Sequence, residues 1–228
     1  MILMRVDAVI FDLDNTLYDE RQYVRSGFRA VSECMAKKFE LDKNHLNRLF
    51  LQVFSKKGRG KVFNIALEKF NMKNEQTVLE LVNVYRNHSP TIKLFEDAEN
   101  TLSKLRQKYR LGLITDGVKK VQENKVKALN IASLFDAITY AVECGGKTNN
   151  DVFLTTLRKL KTKPSHSVYI DDNPTKAFAI ARKLDIQTIR IMKGENKNIL
   201  TPDEECKPDF ETRNLKEISS IIRYIENI

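Results

Sequence analysis

Apolar residues open the chain as one short block. Val6, Ala8, Val9, Ile10 and Phe11 crowd into residues 5–11, and the β-branched content predicts a buried strand there. From residue 21 the period becomes helical. Val24, Phe28, Val31 and Met35 recur every three or four positions, and Leu46, Leu49, Phe50 and Val53 do the same. Phe63, Ala66, Leu67 and Phe70 make a third such set, and Val78, Leu81, Val82 and Tyr85 a fourth. Four amphipathic helices ending before Pro90, with no strand among them, predict a small helical bundle. Beyond Pro90 the rhythm alternates. A helix marked by Ala98, Leu102, Leu105 and Tyr109 leads to a strand at 111–114. Helices at 119–129, through Phe153, Leu157 and Leu160, and at 175–184 are followed by strands at 137–141, 167–170 and 188–191. A last helix carries Leu215, Ile218, Ile222 and Ile225, and residues 194–209 carry the weakest pattern. Repeated β-α alternation predicts a parallel sheet covered on both faces. The expected class is therefore α/β: a Rossmann-like parallel-sheet core from residues 1–17 and 91–228, interrupted by an α-helical bundle at 18–90.

Composition narrows the setting. Of the 228 residues 42% are hydrophobic, enough for one substantial core. No apolar run approaches the roughly 20 residues that span a bilayer, so no membrane association is expected. Residues 1–7 are too short and too soon acidic for a secretory signal. Cys34, Cys144 and Cys206 are far apart and odd in number, which predicts reduced thiols in a cytoplasmic protein. The net charge of +9 is unevenly placed: residues 21–90 hold 14 Lys and Arg against 6 Asp and Glu, the rest of the chain 25 against 24. The helical segment is the basic part.

Three of the predicted strands run into polar residues. Phe11 gives way to Asp12 and Asp14, Ile114 to Thr115, Asp116 and Gly117, and Ile170 to Asp171, Asp172 and Asn173. Ligands of open α/β sheets bind outside the carboxyl ends of the strands. If these strands are neighbours, four or five carboxylates share one rim, an arrangement that is costly without a cation. Oxygen donors without a His or Cys cluster favour a hard ion, Mg²⁺ first. An Asp after a strand often only caps a helix or opens a turn, but capping does not require two acids at one end.

In these motifs and their order the chain resembles the haloacid dehalogenase-like hydrolase superfamily. Asp12-Leu13-Asp14-Asn15-Thr16 is similar to its first motif, and Leu113-Ile114-Thr115-Asp116-Gly117 to its second. Lys147 occupies the place of its third-motif lysine, and Val168-Tyr169-Ile170-Asp171-Asp172-Asn173-Pro174 resembles its fourth. The resemblance implies that residues 18–90 form a cap, and it implies a role for each motif residue. Asp12 would be the nucleophile that takes the phosphoryl group, and Asp14 the acid–base that serves the leaving alcohol and then water. Mg²⁺ would be held by Asp12, the backbone carbonyl of Asp14, and Asp172. Thr115, Asp116 and Lys147 would hold the phosphate. Dehalogenases of the superfamily do not need the second acid that is present here as Asp14. Two departures stand out: Thr148 follows the lysine where relatives commonly carry proline, and Ala177 stands where a further Asp is common. Asp171 replaces a Gly and is the candidate substitute for that missing outer carboxylate.

The implied partner is a small anionic phosphorylated metabolite. A sugar phosphomutase or other phosphoryl transferase shares both acids, and a 2-haloacid dehalogenase shares the fold. The basic segment admits a nucleic-acid-binding protein, although no base-stacking or recognised nucleic-acid motif accompanies it. The loop at 55–61 is basic but lacks the glycine spacing of a Walker loop, leaving a solvated connection or a substrate loop. His45, His88 and His166 are dispersed and read as structural or surface residues. Tyr18 and Arg21 follow the first motif where a flap over the site is expected. The identity of the substrate and the oligomeric state are not legible.

Overall fold

The computed structural model describes residues 5–174 and 177–227. The chain divides into two compact units, one of Met1–Glu20 with Lys93–Ile228 and the other of Arg21–Ile92.

Among the described residues of the first unit, six strands form one parallel sheet. They are β1 (Ala8–Phe11), β2 (Arg110–Thr115), β3 (Ala137–Tyr140), β4 (Ser167–Asp171), β5 (Gln187–Ile191) and β6 (Phe210–Thr212), arranged β3-β2-β1-β4-β5-β6. All four residues of β1 are buried, as a central parallel strand requires, and Ile10 lies between Gly112 and Tyr169. Strand β6 has no counterpart in the sequence pattern, because three residues are too few to display alternation. Among the interior residues Ala8, Ile10, Ile114, Phe153, Leu157, Tyr169 and Phe178 form one apolar cluster.

The second unit holds α1 (Arg21–Phe39), α2 (Lys43–Lys57), α3 (Val62–Lys69) and α4 (Glu75–Asn87). Asp42 and Asn74 cap α2 and α4 by accepting the N–H groups of His45 and Thr77. Phe63 meets Phe28, Phe50 and Tyr85 edge-on, with centroids 6.1, 5.4 and 5.9 Å apart. Helix α2 runs through Lys57, so Ser55, Lys56 and Lys57 belong to its last turn and only 58–61 connect it to α3.

Returning to the first unit, the helices are α5 (Ala98–Leu105), α6 (Lys119–Ala128), α7 (Asn150–Leu160), α8 (Ala177–Lys183) and α9 (Ile218–Ile225). The helix expected over 175–184 is α8; Thr175 and Lys176 lie outside the described residues. No helix among the described residues is long and apolar enough to cross a membrane. With β2, β1 and β4 adjacent and parallel, their carboxyl ends bring Thr115, Asp12 and Asp171 to one edge of the sheet.

Candidate active site

Asp12 leaves β1 while still tied to its neighbour, its N–H donating to the carbonyl of Ile170 at 2.8 Å. Its side chain is 7% exposed. Lys147 Nζ donates to Asp12 Oδ1 at 2.5 Å and the Thr16 hydroxyl donates to Oδ2 at 3.1 Å. Lys147 also reaches Asp171 Oδ2 at 2.9 Å, an oxygen that accepts the Tyr169 hydroxyl at 2.5 Å as well. The other Asp171 oxygen accepts the N–H of Asn173. Asp172 differs: its Oδ2 is buried and has no hydrogen-bond partner among the described residues.

Ligand atoms of Asp12, Asp171 and Asp172 all lie within 4.8 Å of one another. Burial is the main cause of the perturbed acidity of Asp12 and Asp172. It pushes Asp12 up to about 7, against the opposing pull of Lys147 and with Asp171 and Asp14 adding to the rise. It pushes Asp172 up to about 9, reinforced by Asp171 and Asp12. Burial alone would lower Lys147, but Asp12 and Asp171 outweigh it and hold the ammonium well above its ordinary value. Three close carboxylates against one ammonium leave the cluster short of positive charge. The unpartnered Asp172 oxygen and the oxygen-only donor set fit a hard divalent cation.

The cluster opens into a cavity of about 180 Å³, also lined by Asp14, Asn15, Glu20, Asp116, Asn173 and Asn196. Asp14 is gripped from two sides. The Tyr18 hydroxyl donates to its Oδ1 at 2.5 Å, and Lys125 Nζ lies 2.7 and 2.8 Å from its two oxygens. Thr115 is buried beneath the cavity wall, and its hydroxyl donates to Gln122 Oε1 at 2.9 Å. The Gln122 amide in turn donates to the Asp116 carbonyl at 2.9 Å, which fixes its orientation.

Of the six residues picked out by sequence, Asp12, Asp14, Asp116, Lys147 and Asp172 line the cavity, and Thr115 stands behind it. Tyr18 is fully buried against Asp14, whereas Arg21 is exposed at the start of α1. The histidines are scattered: His166 meets Asp7 at 3.1 Å and His88 meets the Tyr85 carbonyl at 2.6 Å. Sequence reasoning missed Gln122, Lys125 and Asn196. Two of these carry a faint signal, as polar residues on the buried face of α6 beside Val121 and Val126. Asn196 sits in a short 3₁₀ turn, Glu195–Asn198, where no periodicity exists to read.

The parallel α/β core carries an acid–lysine cluster at its carboxyl edge. Residues 9–191 match the family described as haloacid dehalogenase-like hydrolase, and the chain belongs to that family. The glyceraldehyde 3-phosphate phosphatase of Methanopyrus kandleri is 26% identical to it, over 96% of this chain and 97% of its own length. The glyceraldehyde 3-phosphate phosphatase of Methanocaldococcus jannaschii is also 26% identical, over 97% and 99%. Among solved structures, magnesium-bound YfnB from Bacillus subtilis superposes with a TM-score of 0.70 at 18% identity, over 96% of this chain and 99% of that one.

Proposed function

We propose that this hydrolase is a Mg²⁺-dependent phosphatase that cleaves a small anionic phosphomonoester through an aspartyl-phosphate on Asp12. The observation that carries the reading is the setting of Asp12: a buried carboxylate at a strand end, 2.5 Å from Lys147 and grouped with Asp171 and Asp172. The names of the curated relatives support a phosphorylated substrate, and glyceraldehyde 3-phosphate is the first compound to try.

Asp12 attacks phosphorus, forming the Oδ–P bond as the P–O bond to the leaving alcohol breaks. Asp14 delivers a proton to the departing oxygen. In the second step Asp14 takes a proton from water as that water attacks phosphorus, which frees Asp12 and inorganic phosphate. Lys147 and the N–H groups after Thr115 hold the phosphate oxygens, with Asp116 beside them on the cavity wall. The Thr115 hydroxyl joins them by exchanging Gln122 for a phosphate oxygen. Asp12, the Asp14 carbonyl and Asp172 would hold Mg²⁺, which supplies positive charge to balance the phosphate and the acids. Residues 18–90 serve as the cap that selects the leaving group.

A panel of phosphorylated sugars, trioses, nucleotides and small acids, assayed for phosphate release with Mg²⁺, tests this reading. Release should stop in chelator and in Asp12→Asn. Halide release from 2-haloacids with no phosphate release from any ester would overturn it.

A further inference from the structure

Helix α6 turns four residues inward: Val121, Gln122, Lys125 and Val126. Two of the four are polar, and they point at different strand ends. Gln122 connects to Thr115 and Asp116, which follow β2. Lys125, one turn further on, connects to Asp14, which follows β1.

The lysine is the more costly of the two. Its side chain is 2% exposed, and an aliphatic side chain of similar length would fill the position without removing an ammonium from water. What the ammonium gains is a bridge across both oxygens of one carboxylate, at 2.7 and 2.8 Å, with Glu20 3.7 Å away. A carboxylate bridged on both oxygens cannot turn about its terminal torsion without breaking a contact. The Tyr18 hydroxyl on Oδ1 restricts the same rotation from the other side.

We infer that Lys125 is a positioning residue for the acid–base reaction, fixing the plane and rotamer of Asp14 so that its carboxyl meets the leaving-group oxygen. The inference rests on the reading of Asp14 as the proton donor. It adds a residue whose part in the reaction is exerted through Asp14. Proton transfer depends on distance and alignment, and a misplacement of about 1 Å can cost on the order of 10²-fold.

The test compares Lys125→Met with the parent enzyme on two substrates, an alkyl phosphate and nitrophenyl phosphate, in Mg²⁺. An alkoxide leaves poorly without a proton, whereas nitrophenolate leaves readily. Lys125→Met should lower kcat/KM, which reports the phosphorylation step, about 10²-fold on the alkyl phosphate and by less than about tenfold on nitrophenyl phosphate, while slowed dephosphorylation lowers kcat on both. In an Asp14→Asn background the same substitution should add almost nothing, because the two residues act as a unit. Equal losses of kcat/KM on both substrates, full additivity with Asp14→Asn, or a faster enzyme would overturn the inference. If Lys125→Met does not fold, Lys125→Gln, which is uncharged and one atom too short to bridge both oxygens of Asp14, must show a substrate-selective loss of kcat/KM in the same direction with a parental melting curve. A parent that turns over esters, loses activity in Asp12→Asn and is indifferent to Lys125 sinks this inference alone. A parent that turns over no ester sinks the phosphatase reading itself.

Discussion

Lys147 Nζ lies 2.9 Å from Oδ2 of Asp171, and that contact separates the two acids at the end of β4. Asp171 accepts from Lys147, Tyr169 and Asn173, whereas Asp172 keeps a buried oxygen without a partner among the described residues. Asp172→Ala should therefore weaken Mg²⁺ affinity more than Asp171→Ala does. Asp171→Ala should instead lower thermal stability, since it leaves the Tyr169 hydroxyl and part of the Lys147 charge unsatisfied. Titration calorimetry with Mg²⁺ and melting curves check both halves. Equal affinities in the two variants would contradict the assignment.

The raised pKa values of Asp12 and Asp172 set a stability profile for the metal-free protein. Asp12 and Asp172 move up from an ordinary 3.8 to about 7 and about 9. Between roughly pH 4 and pH 9 the folded chain then holds more protons at these sites than the unfolded chain. Stability must fall as pH rises through that window, because the folded state has to ionise buried acids. A bound divalent cation replaces those protons, so Mg²⁺ should raise the melting temperature more at pH 9 than at pH 5. Melting in chelator and in Mg²⁺ at the two pH values measures the difference, and an equal gain at both would contradict this account.

Gly27 carries a packing prediction for the helical unit. A Cβ built there would lie 2.4 Å from Cε2 of Tyr85, whose ring packs against Phe28 and Phe63. Gly27→Ala gains helix propensity of up to about 1 kcal/mol but must displace that ring. Overpacking typically costs about 1–3 kcal/mol, so net destabilisation is expected in urea unfolding. A more stable variant would contradict the close approach.

The basic excess of residues 21–90 predicts an ionic-strength effect. If it steers an anionic substrate, kcat/KM should fall as salt rises, since the screening length is about 10 Å at 0.1 M. Neutralising the exposed Lys56, Lys57 and Arg59 together should raise KM more than it lowers kcat. A flat salt profile would make that charge an ordinary solvated surface. Tight, salt-sensitive binding of nucleic acid without ester hydrolysis would favour the rival class.

The strand ends of the site were legible because apolar runs stop abruptly at Asp12, Thr115 and Asp171, and parallel β-α alternation makes those ends share one rim. The helical insertion was legible because four amphipathic repeats occur with no strand between them. Lys125 was not, because its partner Asp14 is 111 residues away and a lysine on a helix is ordinarily solvated. Asn196 reaches the cavity from a segment whose course is set by tertiary contacts: Arg190 holds the Asn196 and Ile199 carbonyls at 3.1 and 2.6 Å. Gly194, at φ +60°, passes so close to Asn15 that a Cβ would lie 2.4 Å from its side-chain oxygen. None of these contacts leaves a periodic trace.

The covalent role of Asp12 is tested most directly by acid-quenching the enzyme during turnover of a ³²P-labelled ester in Mg²⁺ and mapping the labelled peptide. The label should be found on the peptide containing Asp12, should build up when Asp14→Asn slows dephosphorylation, and should be absent in Asp12→Asn. Phosphate release at a normal rate with no label on the protein at any quench time, in either the parent or Asp14→Asn, would contradict an aspartyl-phosphate mechanism.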